Sequence, residues 1–231
     1  LGQRKVRELT LGTLLEKGAE LTPALMSAEM SRIESLMFAG GFARAGAAVD
    51  TVTAERGVRV VVELDPGERA VIGSVSVSGS PGYDAEAMAD RFGIEEGSPL
   101  NPSRIGDAMS GILGELNSSG YPYAQVWLSG FAYDGGTNAA DLSFAVYAGE
   151  RSVVSSVIFD GLARTDTSLA LRFSRIEPGL PYDEKGVMRA ERYLASSDLF
   201  VSVGRADVLR ESPGRVVLRI PVKEKSRASS I

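Results

Sequence analysis

Two stretches of this chain are near copies of each other. Residues 149–161 read GERSVVSSVIFDG and residues 67–79 read GERAVIGSVSVSG, an offset of eighty-two positions. Self-similarity at a fixed period constrains a fold more than composition does, because the same supersecondary unit must then recur along the chain. The repeat extends past these stretches. At the same offset Glu95-Glu96-Gly97-Ser98-Pro99-Leu100-Asn101 matches Glu177-Pro178-Gly179-Leu180-Pro181-Tyr182-Asp183, and a fainter copy sits at Glu16-Lys17-Gly18-Ala19-Glu20-Leu21-Thr22. In each copy a glycine is placed to end a preceding helix. Thr22, Asn101 or Asp183 then offers an N-cap for the next one. Pro23 and Pro102 follow two of these caps, at the favoured first helical position.

The helices that follow have helical apolar spacing. Ile105, Ala108, Met109, Ile112, Leu113 and Leu116 form the stripe of the middle copy. Leu25, Met26, Ile33, Leu36 and Met37 form that of the first, and Val187, Tyr193 and Leu194 that of the third. The stops are Gly41-Phe42, Gly120-Tyr121 and Leu199-Phe200, where an aromatic ring plugs the corner between helix and strand. Alternating strands come next. In the middle copy Ala124, Val126 and Leu128 alternate with Gln125, Trp127 and Ser129. After a turn at Asp134-Gly135-Gly136, Leu142, Phe144 and Val146 alternate with Ser143, Ala145 and Tyr147. Period-two alternation around a Gly-rich turn predicts a β-hairpin. The first copy repeats it with Val58, Val60, Val62 and Leu64, the third with Val216, Leu218, Ile220 and Val222.

Each unit is therefore strand, helix, helix, strand, strand. The expected fold class is α+β, with three tandem domains, each a small mixed sheet covered on one face by two helices. The expected boundaries are 1–66, 67–148 and 149–225, with 226–231 a polar tail. The first domain lacks room for its first strand, since only Leu1-Gly2 precedes its first helix. The linkers, Pro66-Gly67 and Ala148-Gly149, are short enough to hold neighbours at restricted angles.

Composition removes most chemistry. The chain of 231 residues has no cysteine and no histidine. Thiolate catalysis, disulfides and the commonest general base and metal ligand are gone with them. A net charge of −5 argues against a nucleic-acid-binding face. No apolar run reaches the roughly 18 residues of a membrane-spanning helix, and the first residues, LGQRKVREL, hold no signal-peptide core. Asp50, Asp134, Asp160 and Asp166 are scattered rather than spaced as in a calcium loop. No Gly-rich stretch carries the Lys and Ser/Thr of a phosphate loop. No cofactor, metal or catalytic residue is expected, and the chain reads as a binding protein rather than an enzyme.

The element order, the Glu-x-Gly-x-Pro turn, the helix stop before Phe or Tyr and the Gly-Glu-Arg joint together resemble POTRA domains, the polypeptide-transport-associated repeats that precede the β-barrel of outer-membrane assembly and translocation proteins. The resemblance runs from about Val6 to Val222. It implies a place on the periplasmic face of the bacterial outer membrane, a barrel downstream of the polar tail and absent from this chain, and unfolded outer-membrane proteins as partners. Accessory periplasmic lipoproteins are further partners of such a protein.

Two features bear on binding. If Leu142, Phe144 and Val146 face the helices, then Trp127, Phe131, Tyr133 and Tyr147 form an aromatic stripe on the open face, unless a neighbouring domain covers it. In POTRA-like sheets the strand after the helices lies at an edge, so the resemblance implies edge positions for 43–49, 123–129 and 201–206, where unpaired backbone groups can take an extended peptide as an added strand. Gly46 and Gly204 lie where they could blunt such an edge. The candidate polypeptide-binding residues are Ala124, Gln125, Val126, Trp127, Leu128, Phe131, Tyr133, Tyr147, Val201 and Val203. The expected function is reception of unfolded outer-membrane proteins for a barrel-assembly factor. The alternatives are a dedicated two-partner secretion pore and an envelope or division scaffold.

Overall fold

The computed structural model describes residues 13–15, 18, 20–54, 57–79 and 90–225. The expected first helix of the first repeat, most of the corresponding helix of the second, part of the faint turn copy and the polar tail lie outside the described residues. The first repeat supplies α1 (Pro23–Ala39), β1 (Gly46–Ala54) and β2 (Gly57–Asp65). The middle repeat supplies β3 (Val71–Gly79), α2 (Pro102–Ser118), β4 (Gln125–Asp134) and β5 (Ala139–Tyr147). The third supplies β6 (Val153–Asp160), α3 (Thr167–Ser174), α4 (Glu184–Ser196), β7 (Phe200–Val203), β8 (Asp207–Ser212) and β9 (Arg215–Glu224).

The fold is α+β, with three small sheets among the described residues. In the first, β1 pairs antiparallel with β2 from Gly46 opposite Asp65 to Ala54 opposite Gly57. The second has the order β3-β5-β4. In the third, β6 runs parallel to β9, with Val154 opposite Val216 and Phe159 opposite Ile220. β7 and β8 pair antiparallel with β9 along its other side, which makes this sheet mixed. By packing, the described residues fall into two compact units. One holds those within 1–77, 89–108 and 128–144, the other those within 78–88, 109–127 and 145–231.

The third repeat shows how the pattern makes a core. Along β9, Val216, Leu218, Ile220 and Val222 are buried while Arg215, Arg219 and Lys223 are exposed, the alternation of a half-covered strand. Ala170 of α3 and Leu194 of α4 pack with Phe159, Phe200, Ile220 and Val222 in one cluster. Val187 of α4 joins Val154, Tyr182, Val216 and Leu218 in another. Burial among these apolar groups, reinforced by the carboxylates of Glu184, Glu191 and Asp183, pushes the Tyr182 phenol up to about 12.

Helix ends follow the sequence in part. The Thr22 hydroxyl accepts from the Leu25 amide at 3.2 Å, and the Asn101 side chain accepts from the Arg104 amide at 3.4 Å. Asp183 holds the N-cap position of α4 but makes no capping bond, because its carboxylate accepts from Arg189 at 3.0 Å. Gly179 does not end α3. Arg175 does so, in the left-handed conformation with φ 57°, and Gly179 lies in the turn beyond. Gly41 and Gly120 end α1 and α2 with φ 84° and 103°. Beyond them the amides of Phe42 and Tyr121 donate to Met37 and Leu116, in the closing bond of a Schellman motif.

Several positions differ from the expected pattern. Leu36 is exposed on α1, and Glu29 is buried in the stripe with Ile33 and Met37. Its carboxylate is engaged by Arg32 and by Thr13 and Leu14, so the buried charge is paired. Tyr193 leaves the core of α4 and meets Arg175. Leu128 is exposed, because an edge strand has a neighbour on one side only. Ala145, expected on the open face, is buried, being a small side chain on a central strand flanked on both sides.

The repeated Gly-Glu-Arg joint now has a physical explanation. The Ala70 amide donates to Gly41 O at 2.9 Å, and the Leu100 amide donates to Ala70 O at 2.7 Å. One repeat later the Ser152 amide donates to Gly120 O at 2.7 Å, and the Tyr182 amide donates to Ser152 O at 2.9 Å. Each joint residue thus bonds the helix stop behind it and the Glu-x-Gly-x-Pro turn ahead of it. A Cβ on Gly41 would stand 2.1 Å from Leu100 O, so the stop must be glycine for the chains to approach.

Candidate functional site

β4 lies at the edge of the middle sheet, as the strand following the helices was expected to. It runs without a break from Gln125 to Asp134. Among the described residues no further strand pairs with its outer side. The third repeat differs. There the edge is divided into β7 and β8, because Gly204 leaves the strand and its amide donates to Pro221 O at 2.8 Å. A Cβ on Gly204 would meet the Pro221 ring at 3.2 Å, so the break rests on close approach to that ring. Val201 is exposed and Val203 half-buried on the short β7. Gly46 opens β1 rather than blunting it.

The aromatic stripe divides. Trp127 on β4 is 44% exposed and Tyr147 at the end of β5 is 50% exposed. Phe131 meets Phe38 of α1 edge to face, with ring centroids 6.0 Å apart. Tyr133 donates its hydroxyl to Asn138 Oδ1 at 2.9 Å within its own hairpin. Gln125 is exposed and Val126 half-buried. Ala124 precedes the strand, and its amide is taken by Tyr121 O at 3.2 Å. Of the ten candidates, then, Gln125, Val126, Trp127, Leu128, Phe131 and Tyr133 lie on one edge strand, Tyr147 lies on β5, and Val201 and Val203 lie on β7 of the third sheet.

The hairpin that carries β4 is fastened at its turn. Arg44 donates to the carbonyl oxygens of Gly135 and Gly136, the latter at 3.2 Å. The Gly136 amide and the Thr137 hydroxyl donate to Asp134 and hold its carboxyl below the usual carboxylate range. The hydrogen bonds among the open-face serines were not anticipated. Ser74 donates to Asp141 at 2.7 Å, Ser76 and Ser143 share a bond at 2.9 Å, and the Ser129 hydroxyl donates to Ser143 O at 3.0 Å. The alternation in VIGSVSVSG carried that signal, with serine at every second place. Among the described residues no three acidic side chains group as metal ligands would.

Comparison with known proteins bears on this geometry. Residues 70–149 match the family described as POTRA, surface antigen variable number repeat. No curated protein matches the chain by sequence. Among solved structures, the chain is similar to POTRA3-5 of BamA from Haemophilus influenzae, with 20% identity and a TM-score of 0.63 over 97% of this chain and 91% of that one. It is also similar to BamA from Haemophilus ducreyi lacking POTRA domains 1-3, with 19% identity and a TM-score of 0.57 over 67% of this chain and 29% of that one. The middle repeat matches the POTRA family, and the chain as a whole has the fold of consecutive POTRA domains.

Proposed function

We propose that this chain is the periplasmic polypeptide-binding part of an outer-membrane protein assembly factor, divided into three domains at 1–66, 67–148 and 149–225. Unfolded outer-membrane chains add as a strand along β4. Trp127 and Tyr147 receive side chains of the bound segment. The observation that carries the reading is the length and continuity of β4 at an edge no other described strand covers. Strand addition is held by backbone hydrogen bonds, so it tolerates many sequences, which suits a receiver of varied clients. The POTRA match of the middle repeat and the likeness to BamA structures support the assembly role over a scaffold role. No catalysis is ascribed to the chain. The test is site-specific photocrosslinking in cells. A photoreactive side chain at Gln125 or Trp127 is expected to capture newly made outer-membrane proteins. Capture only from α2, at Arg104 for example, would contradict the reading.

A further inference from the structure

The third repeat carries a cleft that strand addition at β4 leaves unused. Arg172, Phe173, Arg175, Tyr193, Ser196 and Ser197, from the last turns of α3 and α4, line an open cleft of about 420 Å³. No carboxylate is among them. Arg175 adopts the left-handed conformation at φ 57°, which is unfavourable for a side chain other than glycine. Its guanidinium lies over the Tyr193 ring, 4.4 Å from the centroid. Among the described residues neither Arg172 nor Arg175 has a carboxylate partner, whereas Arg164, Arg189, Arg215 and Arg219 all do. Phe173 and Tyr193 beside them are 42% and 38% exposed.

Cations in the last turn of a helix also complement its dipole. That effect needs neither two exposed aromatic rings next to them nor a concave surface. Unpaired arginines beside open rings are the composition of an interaction centre. In a chain of net charge −5 such a cleft is complementary to negative charge. A concavity of this size admits a side chain and its neighbours, whereas a bilayer surface would favour a protruding basic face. We propose that the cleft docks an acidic peptide segment of a partner protein, its carboxylates on Arg172 and Arg175 and an apolar side chain against Phe173 and Tyr193.

The test titrates the whole chain with acetyl-Asp-Glu-Phe-Glu-Asp-amide and follows the amide NMR signals of Ser196 and Ser197. Saturable shifts at both are expected, with none from the lysine counterpart, acetyl-Lys-Lys-Phe-Lys-Lys-amide. Arg172→Glu should weaken the acidic peptide by about tenfold or more. Arg175→Gly should weaken it too while raising the melting temperature, because glycine accepts the left-handed conformation. Lost binding in that variant is therefore not lost folding. An equal response to the lysine peptide, unchanged affinity in both variants, or binding to phosphatidylglycerol vesicles with no peptide response would overturn the proposal.

Discussion

Arg69 donates to the carbonyl oxygen of Gly40 from Nη2 at 2.9 Å and from Nε at 3.2 Å. Its guanidinium also lies 5.4 Å from the centroid of the Phe42 ring. One repeat later Arg151 donates from Nε to Ser119 O at 3.3 Å. The arginine of the Gly-Glu-Arg joint therefore reaches back to the helix stop it follows. Arg69→Ala should lower stability to urea by about 1 kcal/mol, since the bond is charge-assisted but solvent-exposed. Arg151→Ala, with one longer bond, should cost less. Paired urea melts of the two variants check the order.

The glycine at the stop should be far less tolerant than a turn glycine of similar conformation. Gly41 has φ 84° and its Cβ would meet Leu100 O at 2.1 Å, whereas Gly97 has φ 75° and open space around it. Gly97→Ala should cost about 1 kcal/mol for the left-handed conformation alone. Gly41→Ala should cost several-fold more, because backbone must move. Equal melting temperatures of the two variants would contradict this account of the joint.

Glu29 should make the first repeat acid-sensitive in a defined window. Hydrogen bonds from the Arg32 guanidinium, then from the Leu14 amide and the Thr13 hydroxyl, hold its carboxyl at about 2, from an ordinary 4.5. A carboxylate depressed in the folded state stabilises above its unfolded value, and that stability is lost as pH falls from about 4.5 through about 2. The loss should reach about 3 kcal/mol. It should appear in NMR as release of the Leu14 amide signal over the same range. Glu29→Gln should lower stability at neutral pH and flatten the profile below pH 4.5.

Trp127 is open to solvent, so Trp127→Ala should change stability by no more than about 0.5 kcal/mol. The same change should weaken binding of an unfolded outer-membrane polypeptide, measured by fluorescence anisotropy. Phe131→Ala, by contrast, should lower stability, because that ring is engaged with Phe38.

The repeat made the architecture legible. Strand order along the chain, the Pro23 and Pro102 helix starts and the Gly41 and Gly120 stops all follow from local rules of backbone conformation. What local rules miss is decided by partners distant in sequence. Glu29 sits in an apolar stripe and is buried because Arg32 and residues 13–14 neutralise it. Tyr193 has core spacing, yet it is drawn to Arg175. The edge position of β4 was readable only through the resemblance to POTRA sheets. The fate of Phe131 depended on Phe38, ninety-odd residues earlier, and no periodicity carries that contact.

The central claim is that β4 accepts an extended polypeptide as an added strand. The most direct measurement is amide hydrogen exchange of the whole chain, with and without a peptide of about ten residues copied from an outer-membrane barrel strand. The account predicts slowed exchange at alternate amides from Gln125 to Asp134, the pattern left when every second N–H faces the added strand. Protection confined to α2, or none along β4 at saturating peptide, would contradict it.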